Sequence, residues 1–294
     1  MRIANAPVSY GVFGDRTVKG TTTPAELLKT MASAGYDGSE IGPPGFFGTI
    51  SEIEQAFQSA EIAPVGAYIP LHTQDNGVIL QRDLKRMEQT LEELVALGGS
   101  GLAILADEGD DTLSAHPRHE TSLGLDDDGW NRLFTVIEHA RAMCEERGIV
   151  TSFHPHIGTY VEQPHEIEQL LEHTGVGLTF DVGHVVLGGG DAVASLRAWR
   201  SRINHIHVKD VRLEVFEQAV ASGRKDFETW WENLCVPFGE GDLELDSFIA
   251  ELRSSGFDGW AVVEHDRAPL SDDEYPAVLA AQKHNLDWLR ARLD

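Results

Sequence analysis

Four short apolar runs in the second half of the chain each end in side chains that can bind a metal ion or transfer a proton. In chain order these side chains are His154 and His156, Asp181 and His184, His207 and Lys209, and Glu264. A mixed set of imidazoles and carboxylates suits Mn²⁺, Co²⁺ or Zn²⁺ better than Ca²⁺, which prefers oxygen ligands alone. Neither Cys144 nor Cys235 lies in these runs, which argues against a thiolate-rich structural zinc. The pattern predicts one divalent metal ion with proton-transfer groups beside it.

Each of these residue types also has a purely structural interpretation. A histidine inside a strand, such as His205, is commonly a hydrogen-bonded core residue. Asp210 could cap a turn, and Glu264 alone could be an exposed acid at the end of a strand. Four consecutive strand ends with ligand-type side chains favour a shared metal site, because buried charges without a partner are costly.

The elements that must position these groups are indicated by a regular alternation along the chain. Apolar runs alternate with stretches of helical periodicity, and the runs are at residues 3–10, 36–41, 63–71, 101–106, 149–153, 176–180, 203–208 and 259–263. Near-continuous apolar strands separated by helices are typical of a parallel sheet covered by helices. No glycine-rich dinucleotide fingerprint follows the first run, and the length suits a closed barrel.

The predicted fold is therefore an α/β (β/α)₈ TIM barrel that occupies residues 1–294 as a single domain. Residues 212–244 form a long inserted loop region after the seventh strand, and a last helix at about 275–293 is expected to pack outside the barrel. In this fold the reactive groups lie at the carboxyl ends of the strands. Glu40 and His72 end the second and third strands, so they are candidate substrate-binding residues, although they could equally serve to solvate loops.

Composition excludes several partners. The chain has 23 basic and 48 acidic residues, a formal net charge of −25. Nucleic acids are bound by neutralising phosphates with Lys and Arg, so a nucleic-acid partner is not expected, and an anionic membrane surface would repel the chain. Two cysteines without a disulfide framework and no apolar run of about 18 residues predict a cytoplasmic protein without a membrane span.

The sequence resembles the xylose isomerase-like sugar isomerase/epimerase superfamily, and within it the inosose dehydratases. The motifs that carry the resemblance are Ala34-Gly35-Tyr36-Asp37-Gly38-Ser39-Glu40, His154-Pro155-His156-Ile157-Gly158-Thr159, Phe180-Asp181-Val182-Gly183-His184, His205-Ile206-His207-Val208-Lys209-Asp210 and Gly239-Glu240-Gly241-Asp242. The resemblance implies Asp181, His207 and Glu264 as metal ligands and a homo-oligomer. The superfamily usually has a Glu where this chain has His154. The fourth ligand is therefore open among His154, His156 and Glu162, and Glu162 is the one we predict.

The resemblance leads to the hypothesis of a metal-dependent dehydratase that acts on a small polyhydroxylated keto substrate, a keto-cyclitol of the inosose type. The metal would chelate the carbonyl and a neighbouring hydroxyl and stabilise an enediolate. The base would be His154, His156 or Glu162, the acid would be His184, and Lys209 joins the catalytic set. The alternative is an isomerase or epimerase of a ketose, keto-sugar or inosose with the same site. A DNA-cleaving enzyme is disfavoured by the net charge, and a carbohydrate-binding role without catalysis is also conceivable.

Overall fold

The computed structural model describes residues 1–12, 23–72, 79–222, 233–267 and 273–293. The strands are β1 (Arg2–Asn5), β2 (Gly38–Ser39), β3 (Ala63–Pro64), β4 (Gly66–Leu71), β5 (Leu102–Asp107), β6 (Thr151–Phe153), β7 (Gly177–Asp181), β8 (Ile203–Val208), β9 (Asp210–Val211), β10 (Cys235–Val236) and β11 (Trp260–Val263). The α-helices are α1 (Pro24–Ala34), α2 (Ile50–Ala60), α3 (Gln81–Ala96), α4 (Asp111–Ser114), α5 (Asp127–Glu145), α6 (Pro164–His173), α7 (Val182–Leu187), α8 (Ala192–Trp199), α9 (Leu213–Ser222), α10 (Leu245–Ser254) and α11 (Tyr275–Leu293).

Nine strand segments form one parallel sheet in the order β3-β2-β1-β11-β8-β7-β6-β5-β4. The two segments at the ends of this order, β3 and β4, follow each other in the chain with only Val65 between them. The sheet is therefore a nearly closed ring in which the third barrel strand is divided into two halves. This arrangement confirms the predicted α/β TIM barrel.

The helices begin where short polar side chains can cap them. Thr23 and Thr49 each accept a hydrogen bond from the backbone of a glutamate three residues later, and that glutamate binds the threonine N–H in return. Such capping boxes satisfy backbone donors that a helix start leaves unpaired. The apolar faces of the helices then pack on the strands in one continuous core. Among the helices in the described part of the chain, none is long and apolar enough to cross a bilayer.

The first predicted strand, residues 3–10, is too long. The strand ends at Asn5, and Pro7–Tyr10 forms a 3₁₀ helix instead. Proline has no backbone N–H to donate to a neighbouring strand, and its fixed φ suits the first turn of a helix. Pro7 therefore ends the strand although the run remains apolar.

The region predicted as an inserted loop, residues 212–244, contains helix α9 and strand β10, and residues 223–232 of it lie outside the described ranges. Strand β10 pairs antiparallel with β9. The carboxylate of Asp210 holds the turn that follows: Oδ2 accepts hydrogen bonds from the backbone N–H groups of Gly239 at 2.8 Å and Gly241 at 3.1 Å. A Cβ on Gly241 would overlap this carboxylate, which explains the glycine. Asp210 thus has the turn-capping role that its sequence position allowed.

Replacement of Asp210 by Asn should destabilise the fold. The amide NH₂ of the variant would face backbone N–H groups that now donate hydrogen bonds to the carboxylate oxygen, so two donors would meet. Hydrogen bonds to charged groups contribute about 1.5–3 kcal/mol each, so we expect the free energy of unfolding to fall by about 2–3 kcal/mol in urea denaturation. Asp258→Asn, at an exposed position, is the control and should change it by less than about 0.5 kcal/mol. Equal stability of the two variants would contradict the role of Asp210.

Candidate metal centre and active site

Four buried side chains converge at the carboxyl ends of four neighbouring strands. His154 follows β6, Asp181 ends β7, His207 lies on β8 and Glu264 follows β11. These strands are consecutive in the sheet, so their ends lie side by side. One ligand atom from each residue lies within 4.8 Å of all the others. These four residues, called the ligand group below, include the predicted Asp181, His207 and Glu264, and their fourth member is His154, whereas Glu162 was predicted.

The distances within this group fit a cation. His154 Nε2 lies 3.1 Å from His207 Nδ1 and 3.5 Å from Asp181 Oδ2. His207 Nδ1 lies 3.6 Å from Asp181 Oδ2 and 3.1 Å from Glu264 Oε2. Ligands at roughly 2.0–2.2 Å around a tetrahedral ion are roughly 3.4 Å from one another. Asp181 Oδ2 is buried and faces both imidazoles of the group. The donor set and its spacing therefore suit one divalent metal ion.

The buried carboxylates around this group also favour a nearby positive charge. Lys209 Nζ lies 3.0 Å from Asp181 Oδ2, 2.9 Å from Glu264 Oε2 and 2.7 Å from Asp266 Oδ2. Burial alone would lower the pKa of Lys209, but these carboxylates outweigh it and raise the pKa well above its usual range. Burial would raise the pKa of Glu264, yet His207 and Lys209 hold it at about 2. The lysine thus stays charged, and the carboxylates around it outnumber it.

Gly183 explains how Lys209 reaches this position. A Cβ on Gly183 would overlap the aliphatic part of the Lys209 side chain. Asp181 caps helix α7, because its Oδ1 accepts a hydrogen bond from His184 N at 2.9 Å. The carboxylate of Asp181 therefore uses one oxygen to start the helix and presents the other to the ligand group. In the Asp-x-Gly-His motif, Asp181 caps helix α7 and contributes an oxygen to the ligand group, and Gly183 leaves room for the Lys209 side chain.

Glu40, whose predicted substrate-binding role stays a prediction, contacts two histidines of β8. It is buried, and its Oε1 accepts hydrogen bonds from His207 Nε2 at 2.8 Å and from His205 Nε2 at 2.9 Å. A carboxylate that binds the remote nitrogen of a metal-binding histidine fixes its tautomer and the orientation of its ring. Glu40 thus fixes the His207 ring so that its Nδ1 faces the ligand group. His205, which sequence reasoning left as a core residue, completes this hydrogen-bonded set.

The prediction that Glu162 supplies the fourth ligand does not fit this arrangement. Its Oε1 accepts from the backbone N–H of His119 at 3.0 Å and lies 2.9 Å from His119 Nδ1, while its Oε2 accepts from Gly158 N at 2.6 Å. Both carboxylate oxygens are therefore engaged outside the ligand group, and His154 takes the fourth place. The Nδ1 atom of His154 has no hydrogen-bond partner among the described residues, unlike the remote nitrogen of His207.

Two further histidines lie against the ligand group. The rings of His156 and His184 are 3.9 Å apart between centroids, and the ring of His154 lies 5.3 Å from that of His184. His156 Nδ1 lies 2.9 Å from the carbonyl oxygen of Ile157 and donates to it, which places the lone pair of the neutral ring on Nε2. Burial, His154 and Lys209 lower the pKa of His156 to about 3. His156 is therefore a neutral ring that can accept a proton.

His184, predicted as the acid, is also neutral. Burial, His156 and Lys209 lower the pKa of His184 well below its ordinary value. Its Nε2 lies 3.3 Å from Lys209 Nζ, and its Nδ1 accepts from Ile157 N at 3.3 Å. The charged donor at this position is the Lys209 ammonium group, so His184 and Lys209 must be considered as a pair.

The rim carries polar groups that could meet substrate hydroxyls. His72 follows β4, and its Nδ1 lies 3.0 Å from Asp83 Oδ2. Its substrate-binding role stays a prediction. Sequence reasoning missed Tyr68, whose ring lies 6.2 Å from that of His154 and whose hydroxyl donates to Glu108 Oε1 at 2.7 Å. Tyr68 is half-buried and its neighbour Ile69 is fully buried. The alternation of side-chain positions along β4 was therefore the signal that could have found Tyr68.

Comparison with known proteins places this site in a family. Residues 28–292 match the family model described as xylose isomerase-like TIM barrel. The chain belongs to this family. It is 28% identical over 280 residues to inosose dehydratase 1 of Bacillus cereus, covering 88% of this chain and 87% of that one. It is 27% identical over 305 residues to inosose dehydratase of Bacillus thuringiensis, covering 96% and 95%.

Solved structures share the fold over nearly the whole chain. The apo form of 3-keto-D-glucoside 4-epimerase YcjR from E. coli superposes with a TM-score of 0.69 at 16% identity and covers 99% of both chains. The IolI protein with a bound zinc atom superposes with a TM-score of 0.70 at 16% identity and covers 100% of this chain and 98% of that one. At these identities the similarity establishes the fold alone.

The ligand group can be tested by metal titration of the purified protein. We expect one Mn²⁺, Co²⁺ or Zn²⁺ ion per chain in calorimetry and elemental analysis. Asp181→Asn should weaken binding by more than the roughly 100-fold expected for loss of an outer partner of a ligand. Asp126→Asn is the matched control, because Asp126 also caps a helix but lies outside the ligand group. Equal affinity in both variants would exclude Asp181 as a ligand.

The orienting role of Glu40 predicts a smaller effect. Glu40→Gln should weaken metal binding by about 10–100-fold without a change in stoichiometry, because the His207 ring loses its carboxylate partner. Glu93→Gln provides the control: Glu93 is a buried carboxylate on α3 that binds the Gly45 backbone N–H instead. A Glu40→Gln protein with the metal affinity of the unaltered chain would show that Glu40 does not orient His207.

Proposed function

We propose that this chain is a metal-dependent dehydratase of a keto-cyclitol of the inosose type, with His154, Asp181, His207 and Glu264 holding one Mn²⁺, Co²⁺ or Zn²⁺ ion. The observation that carries the proposal is the convergence of these four buried groups beside two neutral histidines and a charged lysine. Two of the relatives that align over almost the whole chain are named inosose dehydratases. The structural neighbour IolI contains a zinc atom. These findings support the choice of chemistry and metal.

Dehydration of such a substrate breaks a C–H bond next to the carbonyl and the neighbouring C–OH bond, and it releases one water molecule. A bound divalent cation supplies electrophilic stabilisation for the negative charge that develops on the substrate. His156 Nε2 takes the proton, because the ring is neutral and its Nδ1 is held by the Ile157 carbonyl. Burial keeps bulk water away from the developing charge.

The departing hydroxyl needs a proton, which must come from a group other than His156. Lys209 remains protonated among its carboxylates, and its Nζ lies 3.3 Å from His184 Nε2. We assign proton delivery to this pair: the Lys209 ammonium group donates its proton to the departing hydroxyl, and the neutral amine that remains accepts a hydrogen bond from His184 Nε2, while His184 Nδ1 keeps its lone pair on the Ile157 N–H. Positioned acids and bases of this kind typically contribute about 10²–10⁴-fold to a rate.

The competing activity is epimerisation or isomerisation of a keto-sugar, ketose or inosose. It shares the first proton removal and differs in returning the proton to carbon instead of expelling hydroxide. The neighbour YcjR is a 3-keto-D-glucoside 4-epimerase. The presence of Lys209 and His184 beside the base favours elimination, because a charged proton source is available for the leaving hydroxyl.

The proposal is tested by incubating the metal-loaded protein with scyllo-inosose in deuterated water. We expect a dione product formed with the loss of one water molecule. Its formation is measured by mass spectrometry and ultraviolet absorption. Metal-depleted protein and the Asp181→Asn variant are the negative controls. Deuterium exchange without loss of water would assign the chain to the epimerases, and absence of both with all three metals would refute the proposed activity.

The base is tested by replacing His156. His156→Gln should lower kcat by about 10²–10⁴-fold while the bound metal per chain stays the same, because His156 lies outside the ligand group. His139→Gln, on the exposed face of α5, is the control and should leave kcat unchanged. If His156→Gln keeps the kcat of the unaltered chain, another group removes the proton.

A further inference from the structure

We propose that His119 is a positioning residue for the proposed proton-transfer histidines, His156 and His184. It lies between α4 and α5, far in sequence from both of them. The inference rests on the proposed function for the roles of His156 and His184. The contacts that carry it are independent of any metal ion.

His119 is a buried clamp between two carboxylates of the segment that follows β6. Its Nδ1 lies 2.9 Å from Glu162 Oε1, and its Nε2 lies 3.0 Å from Glu166 Oε1. Its backbone N–H also donates to Glu162 Oε1, at 3.0 Å, and its carbonyl accepts from Gln163 Nε2 at 2.9 Å. Both ring nitrogens thus lie within 3.0 Å of a carboxylate oxygen, which favours the charged imidazolium. Burial alone would lower the pKa of His119, but the two carboxylates outweigh it and raise the pKa to about 9.

Glu162 passes this constraint to the turn that holds both catalytic candidates. Its Oε2 accepts from Gly158 N at 2.6 Å. The preceding residue, Ile157, donates its N–H to His184 Nδ1 at 3.3 Å, and its carbonyl oxygen lies 2.9 Å from His156 Nδ1. A shift of the turn at 157–158 would therefore move a hydrogen-bond partner of each ring. His119 acts on the two histidines through this single turn.

The backbone of Glu162 is also packed against the helix that carries His184. A Cβ on Gly188, just beyond the end of α7, would overlap the carbonyl oxygen of Glu162. The glycine allows this close approach. Displacement of Glu162 would therefore disturb α7 directly, in addition to the turn at 157–158.

Arg118 anchors the same segment on its other side. Its guanidinium lies 2.6 Å from Glu217 Oε1 and 4.9 Å from the centre of the Phe216 ring, both on α9. Arg118 has a φ of 54°, in the left-handed region that costs a non-glycine residue of order 1 kcal/mol. With this backbone conformation, the Arg118 side chain contacts α9 and the next side chain, that of His119, contacts the segment that follows β6. Residues 118–119 thus join the segments that follow β5, β6 and β9.

The test compares His119→Gln and His119→Phe with His116→Gln, an exposed histidine in the same segment. Phe keeps the bulk of the ring and removes both donors, whereas Gln keeps one donor. We expect kcat per bound metal to fall by about 10–100-fold in His119→Phe, since misplacement by about 1 Å can cost that much. The loss should be smaller in His119→Gln and absent in His116→Gln. KM should change by less than about threefold.

A second measurement does not depend on turnover. In Zn²⁺-loaded, ¹⁵N-histidine-labelled protein, the ring signals of His156 and His184, assigned with His156→Gln and His184→Gln, should shift in both His119 variants. The Co²⁺ absorption spectrum, which reports the ligand group, should stay unchanged. Unmoved His156 and His184 signals, or an altered Co²⁺ spectrum, would overturn the positioning role. If the unaltered chain turns over no substrate, the proposed function fails, while the ring signals still decide the role of His119.

Discussion

The site depends on one constraint: carboxylates buried at the end of the barrel need positive charge close by. Asp181, Glu264 and Asp266 all contact Lys209, and the first two also approach the imidazole of His207. Isolated buried charges are strongly unfavourable, whereas paired ones are tolerated when their geometry is good. The lysine satisfies part of this demand, and the spacing of the ligand group leaves the remainder to a divalent ion. Burial, a neighbouring histidine and the ammonium group together lower the pKa values of His156 and His184, so both rings are neutral beside this charge.

The barrel makes the convergence possible by simple register. Asp181 pairs with His207 across β7 and β8, and His207 pairs with Val262 across β8 and β11. Parallel strands end at the same edge, so residues at matching positions are adjacent without any contribution from loops. The loops then add the groups that tune the site. The His156–Glu162 segment contributes the proposed base, His156, and the carboxylate that His119 contacts.

The part of the site that lies on strands could be predicted from the sequence, and the part on loops could not. Asp181, His207 and Glu264 were found because a strand end has a defined location in the barrel. Glu162 was predicted as a ligand because the superfamily usually has a Glu where this chain has His154. A loop residue has no such defined location, and the oxygens of Glu162 bind His119 and Gly158. Its actual partner, His119, lies about 40 residues away in a segment whose path has no local signal. Pro7 shortened the first strand for a local reason that the apolar pattern alone concealed.

The divided third strand has a mechanical consequence. On that side of the ring, β2 and β3 contribute only two residues each, so few backbone hydrogen bonds join them to their neighbours. Glu40 follows β2 and reaches across the interior to two histidines of β8. Glu40 therefore connects the part of the ring with the shortest strands to the strand that carries His205 and His207. Loss of its carboxylate would remove a link across the barrel interior as well as the hydrogen-bond partner of both imidazoles.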